Sequence, residues 1–505
     1  MRRSASDRRV FLWQAGIGVA ATGLVRPGPV AAAPPGAGDA AAALELRKEE
    51  LQRRVAALPT ELKRWQERAR HELDEQIHFS QMRALGVLMD AFVQNQTSML
   101  GALNPRGGER RFLEQALALV LEIDRAQGVW DFYRTKLQLR FSPDYRASLR
   151  AADIVALDCY RPVLDEAVRL GILSRAEVRE PPLCYYVADF SPATWVRGSE
   201  PTDLVDRQGG TVVTPIPVIQ LPWDHAQNLW EFPTIAHEVG HDLEADLKLR
   251  PDLLKSLEDS LRKGGVPDAR VVVWNAWQAE TFADLVALQL MGPGFLEALM
   301  HLLLLPPAIV TTYQGSDPHP THYVRILMGA AYLRGLVPAG NQADQPHQDL
   351  ANDAGQVERV WKGLYGDPPP LRDYLGDFPL VFKGLMDTPL PALKGKTVRA
   401  LIPYRATDDR RIRAASRYLL SGQDRPARLR PRHCLAAARL AATEASQQGP
   451  AMALSLQSIN ERTAKLIDDS VPPGLFAGDD RKSHRDFVAG FAKTISVERG
   501  RRPRP

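Results

Sequence analysis

Cysteine is nearly missing from this 505-residue chain, occurring only as Cys159, Cys184 and Cys434. The three lie far apart and form no Cys-x-x-Cys pair, which excludes a disulfide framework and a thiolate-built structural zinc cluster. Long apolar runs are missing too. The mildly apolar stretch from Trp13 to Val25 is too short to cross a bilayer, so no stable membrane span is expected in the mature chain. Neither sign of charge dominates: 64 Lys and Arg against 60 Asp and Glu leave a net +4. No nucleic-acid partner and no global attraction to a membrane surface are therefore expected. No internal repeat is visible, which excludes a repeat array. What is present, 45% hydrophobic residues, suffices for a substantial core in roughly two or three domains.

Histidine is scarce as well, with 11 in the chain. Two of them stand four apart in His237-Glu238-Val239-Gly240-His241. On a helix that spacing puts both imidazoles on one face, where they can reach one metal ion. Glu238 is swung about 100° around the axis, beside the metal rather than on it. Two nitrogen ligands with a neighbouring carboxylate base are most of a hydrolytic zinc site. The context is helical. Pro233 suits a first turn, Ile235, Ala236 and Val239 interleave with the polar pair, and Arg250-Pro251 closes the segment. Gly240 is unfavourable inside a helix and is tolerated where another group must approach closely.

A catalytic zinc usually takes three protein ligands and keeps one open position. A metzincin places a His six residues after the second one, where this chain has Leu247, so that subclass is excluded. The better third ligand is Glu280, in Ala279-Glu280-Thr281-Phe282-Ala283-Asp284. The stretch from about Asp268 to Met291 reads as one helix, stopped by Gly292-Pro293. Glu280 and Asp284 then share a face. One can bind metal, and the other can accept the free N–H of a ligating histidine. A further group, Asp317-Pro318-His319-Pro320-Thr321-His322-Tyr323-Val324-Arg325, runs from a Pro-rich loop into a helix. His319, His322, Tyr323 and Arg325 are all candidate donors to a developing oxyanion.

These three blocks, in this order, resemble a gluzincin metallopeptidase. They are most similar to the core shared by the CAAX prenyl proteases, the bacterial heat-shock membrane zinc proteases and the soluble minigluzincins. That group shows His-Glu-x-x-His, then Glu-x-x-Ala-Asp on a later helix, then a His-Pro segment with an Arg six residues after the His. The resemblance spans roughly residues 210–335. It implies that His237, His241 and Glu280 bind one zinc ion, that Glu238 is the general base, and that Asp284 stands behind a ligand histidine. It also implies His319 and Arg325 near the substrate carbonyl. The membrane proteases need long transmembrane helices that this chain lacks, so lipidated substrates are not carried over.

At the N-terminus, Asp7-Arg8-Arg9-Val10-Phe11-Leu12 resembles a twin-arginine export signal. The apolar run after it and the small residues Val30 to Ala33 complete a signal peptide over 1–33. The twin-arginine export machinery is then a partner, and the expected location is periplasmic or secreted. An Ala/Pro/Gly linker is expected at 34–43, a helical region at 44–180, a zinc peptidase core at 181–340, a mostly helical region at 341–498 and a basic tail at 499–505. The segment Thr214 to Pro222 is extended but studded with proline, which suits a sheet edge able to take substrate as an added strand. Beyond Pro338 the chain reads as loop-rich as far as Tyr404. The expected fold is α+β and predominantly helical, with a small sheet packed on the active-site helix. The expected function is zinc-dependent hydrolysis of a peptide or protein substrate. A non-catalytic zinc scaffold would not need Glu238, whereas a zinc hydrolase of non-peptide amides would share the whole set.

Overall fold

The computed structural model describes residues 37–72, 75–201, 213–312, 317–336, 345–447 and 452–472. The expected signal peptide at 1–33 and the basic tail at 499–505 lie outside the described residues. As expected, the fold is predominantly helical with one small sheet.

Four long helices come first: α1 (Ala37–Glu72), α2 (Glu75–Gly101), α3 (Glu109–Gln138) and α4 (Pro143–Arg169). In α1 the buried residues Leu51, Val55, Leu58, Leu62, Trp65 and Ala69 alternate spacings of four and three, the stripe that one helix face turns to a neighbour. The helix begins at Ala37, inside the stretch expected to be a linker. Alanine has the highest helix propensity, and the run Ala40 to Ala43 is helical once the prolines are passed. In α4, Ala151 through Tyr160 are all buried, because this helix is sandwiched between the sheet and the helices that carry the site.

Among the described residues the sheet has three strands, β1 (Leu183–Val187), β2 (Ala193–Trp195) and β3 (Val218–Pro222), in the order β1-β3-β2. β1 runs parallel to β3, and β2 runs antiparallel to it. This corrects the expectation for Thr214 to Pro222, since Val218–Pro222 is the central strand. Pro215 and Pro217 precede the ladder and Pro222 closes it, so no proline removes a hydrogen bond from the middle. The edge beside the site is β2. Cys184 sits within β1, and all three cysteines are buried and unpaired.

The site is carried by α5 (Ile235–Asp246), α6 (Arg250–Lys263), α7 (Asp268–Ala276), α8 (Gln278–Met291), α9 (Pro293–Leu302) and α10 (His322–Gly335). Two expectations are corrected here. α5 ends before Arg250-Pro251, which instead begin α6. The stretch from Asp268 to Met291 is two helices, broken at Trp277 (φ −86°, ψ 0°). Trp274 and Trp277 are both buried, and the bend lets both indoles reach the core. Glu280 therefore sits in the first turn of α8, where the helix dipole favours a carboxylate.

The rest of the chain is α11 (Gln345–Tyr365), α12 (Pro369–Phe382), α13 (Ala406–Ser421), α14 (Pro431–Ser446) and α15 (Met452–Asp469). Helices α11 and α12 replace much of the loop expected beyond Pro338. Leu350, Ala354, Val357 and Trp361 are buried at helical spacing, and the prolines around residue 369 sit in a first turn, where the missing N–H is not needed. One hydrophobic cluster runs from α4 through α5, α8, α9 and α10 to α15. Among the described residues no helix is long and apolar enough to cross a membrane.

α14 crosses α9 closely, since a Cβ on Gly294 would stand 2.5 Å from the Ala436 backbone. Thr443 donates to Glu297 across that contact at 2.6 Å. Burial raises the Glu297 carboxyl from 4.5 to about 7, against the opposing pull of Thr443 and Arg439. Between those values the folded chain holds a proton that the unfolded chain has lost. The stabilisation is complete below 4.5 and is lost as pH rises through about 7, a change of roughly 3 kcal/mol. Urea unfolding of wild type and Glu297→Gln across this window should show the wild-type advantage shrinking with rising pH. A constant difference would contradict it.

Candidate metal centre

Helices α5 and α8 can meet because α5 carries glycine where they touch. A Cβ on Gly240 would stand 2.8 Å from Ala283 Cα. That close approach sets Glu280 against the histidine face of α5. The Nε2 atoms of His237 and His241 are 3.2 Å apart. Glu280 Oε2 is 3.2 Å from His237 Nε2, and Glu280 Oε1 is 3.5 Å from His241 Nε2. Donor atoms of three residues thus converge, one from each lying within 4.8 Å of the others, and the group can hold a metal ion. Gly240→Ala should push the helices apart. The overpacking costs about 1–3 kcal/mol, offset by up to about 1 kcal/mol of helix propensity. The expected result is a lowered unfolding midpoint and a weakened metal affinity in titration. An unchanged affinity would mean that the close contact does not position Glu280.

Behind the cluster stands a buried relay. His237 Nδ1 lies 2.8 Å from Asp284 Oδ1. Asp284 in turn accepts from Arg325 Nε and Nη2, each at 2.8 Å. Burial alone would raise the Asp284 carboxyl, but Arg325 and His237 more than reverse that and hold it at about 2. Burial likewise opposes a proton on His237, yet Asp284 and Glu280 raise its imidazole to about 10. With Nδ1 committed to Asp284, Nε2 is left to face the other two donors. Arg325 is 6% exposed and borders the cleft; two of its three guanidinium nitrogens are bound to Asp284, a tie that the sequence did not suggest.

Glu238 is buried, borders the cleft and takes no part in the three-donor cluster. Burial raises its carboxyl, against the lowering pull of His237 and His241. His319 is held between two carboxylates, with Nδ1 2.7 Å from Asp317 Oδ1 and Nε2 3.2 Å from Glu280 Oε2. It is 42% exposed, at the cleft mouth. His322 also lines the cleft, and burial together with the Arg325 charge lowers its imidazole to about 4. Tyr323 is fully buried and its hydroxyl donates to the Gly366 carbonyl, which removes it from the candidate donors.

The cleft over this cluster has a volume of about 1010 Å³. Its lining includes the edge strand β2 with the loop before it, and Pro318, His319 and His322. One end is closed by apolar side chains of α9, with the Phe295 ring stacked 6.5 Å from the His237 ring. Sequence reasoning missed Asp317 as the partner of His319. It also missed Gln278, which donates to Glu244 at 3.1 Å. The apolar run of α9 was visible but carried no chemical signal. The aromatic residues just before α5, Trp223, Trp230 and Phe232, are not among the residues that line the cleft. The chain matches no family model, no curated protein and no solved structure.

Proposed function

We propose that this protein is a zinc-dependent metallopeptidase of gluzincin type, with His237, His241 and Glu280 as the zinc ligands. The observation that carries the reading is the spacing of the three donors. At zinc–ligand lengths of about 2.0–2.2 Å, tetrahedral corners stand about 3.3–3.6 Å apart. The two Nε2 atoms are 3.2 Å apart, and each has one of the two Glu280 oxygens at 3.2 or 3.5 Å, close to that figure. Two imidazoles and one carboxylate are also a donor set of catalytic zinc, which keeps a fourth position open.

Zinc held there supplies Lewis acidity, polarising a carbonyl and lowering the pKa of a water to about 7. The protein's own groups do the rest. Glu238 accepts the proton of the attacking water and later delivers it to the leaving amine nitrogen. Asp284 and Arg325 fix the tautomer and the plane of the His237 ring. His319, tethered to Asp317, can turn an imidazole N–H toward the oxygen on which negative charge develops. The outer edge of β2 offers backbone groups along which an extended peptide can lie. The twin-arginine-like N-terminus supports action outside the cytoplasm.

Incubating the zinc-loaded protein with a mixed peptide pool and mapping the cuts by mass spectrometry tests the reading. Cuts that vanish with a chelator and return with zinc are expected. A protein that binds zinc and cuts no peptide would overturn it.

A further inference from the structure

We propose that Lys248 and Arg250 form an anion-binding end of the cleft, selecting peptides that carry a carboxylate about three residues from the bond to be cut. This rests on the peptidase reading above. Both side chains line the cleft beyond Glu244, and both are exposed. Neither has an ion-pair partner among the described residues. The carboxylates nearer the metal are already engaged, Glu280 by the histidines and Glu244 by Gln278. Arg250 exerts a lowering pull on the Glu244 carboxyl and Lys248 on the Glu177 carboxyl, but neither cation is held in an ion pair among the described residues, so both remain open to a ligand carboxylate.

The direction of the cleft fits a peptide reaching them. Thr194 of β2 stands beside Asp242, and three residues on, Arg197 Nε reaches Asp246 at 3.0 Å. β2 thus runs alongside α5 in the same sense, toward the α5 C-terminus. Lys248 comes seven residues after His241, an axial rise of about 10 Å. A strand laid on the β2 edge covers that distance in about three residues. The α9 side of the lining is apolar, with Phe295, Leu299, Leu302 and Leu303, and Phe295 stacks on His237, eleven residues before Lys248. A peptide crossing the metal would meet carbon at one end and positive charge at the other.

Lys248 also occupies a backbone position that does not favour lysine. Its φ is 55°, in the left-handed region just past the helix. The Leu249 N–H donates back to the Glu244 carbonyl at 2.9 Å. Glycine is the usual residue at such a helix end, because a side chain there is unfavourable. Lysine held in this conformation at the rim of a cleft points to a task for its ammonium group.

The test uses the full-length, zinc-loaded Glu238→Gln protein and fluorescein-labelled decapeptides in matched pairs. One pair differs by Glu against Gln three residues from a mapped cut or, where no cut has been mapped, at each position in turn. The other differs by a free against an amidated C-terminus. Fluorescence polarisation should show the carboxylate-bearing member binding about tenfold more tightly, as two partly exposed charge pairs can supply. The preference should shrink as salt rises and vanish in the protein that also carries Lys248→Gly and Arg250→Gln. Which pair shows it separates a side-chain carboxylate from a terminal one. Because Lys248→Gly relieves the left-handed backbone, its unfolding midpoint should stay level or rise, so lost binding is not lost folding. Equal binding of both members in every pair, including none, would overturn the proposal, as would a preference that survives the double substitution. If wild type cuts none of these peptides while the preference holds, the hydrolytic reading fails and the anion-binding end stands.

Discussion

Glu238→Gln should bind zinc as wild type does and hydrolyse peptides roughly 10²–10⁴-fold more slowly, the range that general-base catalysis contributes. Glutamine keeps the size and polarity of glutamate but cannot accept the water proton. Glu238 lies next to His237 in sequence, yet the helix turns it away from the three converging donors, so its loss leaves the cluster intact. It is 5% exposed and borders the cleft, where no bulk buffer can easily replace it as a base. Measuring kcat/KM together with zinc content on one preparation separates the roles. Full activity in this variant would remove Glu238 from the mechanism, and loss of zinc would make it a ligand.

Glu280→Gln should weaken zinc binding by more than the roughly 10–100-fold that losing an outer partner costs, whereas Glu244→Gln should leave it within that range. Both glutamates line the cleft within reach of His241 in sequence or in space. Only Glu280 comes from a separate helix, and only its oxygens reach both histidines, at 3.2 and 3.5 Å. Glu244 is one turn past His241 on the same helix and is tied to Gln278 at 3.1 Å. Competition titration against a chelator of known affinity ranks the two. The reverse order would move the third ligand to Glu244.

The cluster was legible because its chemistry is written in local spacing. His237 and His241 stand four apart, and so do Glu280 and Asp284, and a helix turns each pair onto one face. That the two faces meet depends on Gly240 against Ala283, which spacing hints at but cannot demonstrate. The helical character of the first 130 or so described residues was likewise legible from buried stripes such as Leu51 to Ala69. Other features were hidden because they depend on distant partners. Val218 to Pro222 is a central strand because β1 and β2 arrive on either side, and proline content alone argued for an edge. Residues 345–382 look like loop by their Gly, Pro and Asp content, yet Leu350, Ala354, Val357 and Trp361 are buried at helical spacing. Arg325 was read only as a group near the substrate carbonyl, because the demand of buried Asp284 for a counter-charge appears only in three dimensions.

X-ray absorption at the zinc edge, on the full-length protein carrying one equivalent of zinc, reads the ligand shell itself. The expected spectrum has only nitrogen and oxygen neighbours at about 2.0–2.2 Å, with the outer-shell scattering of two imidazoles. One imidazole should be lost in His237→Ala and one in His241→Ala. A sulfur neighbour near 2.3 Å, or a two-imidazole shell that survives both substitutions, would contradict a zinc site built from His237, His241 and Glu280.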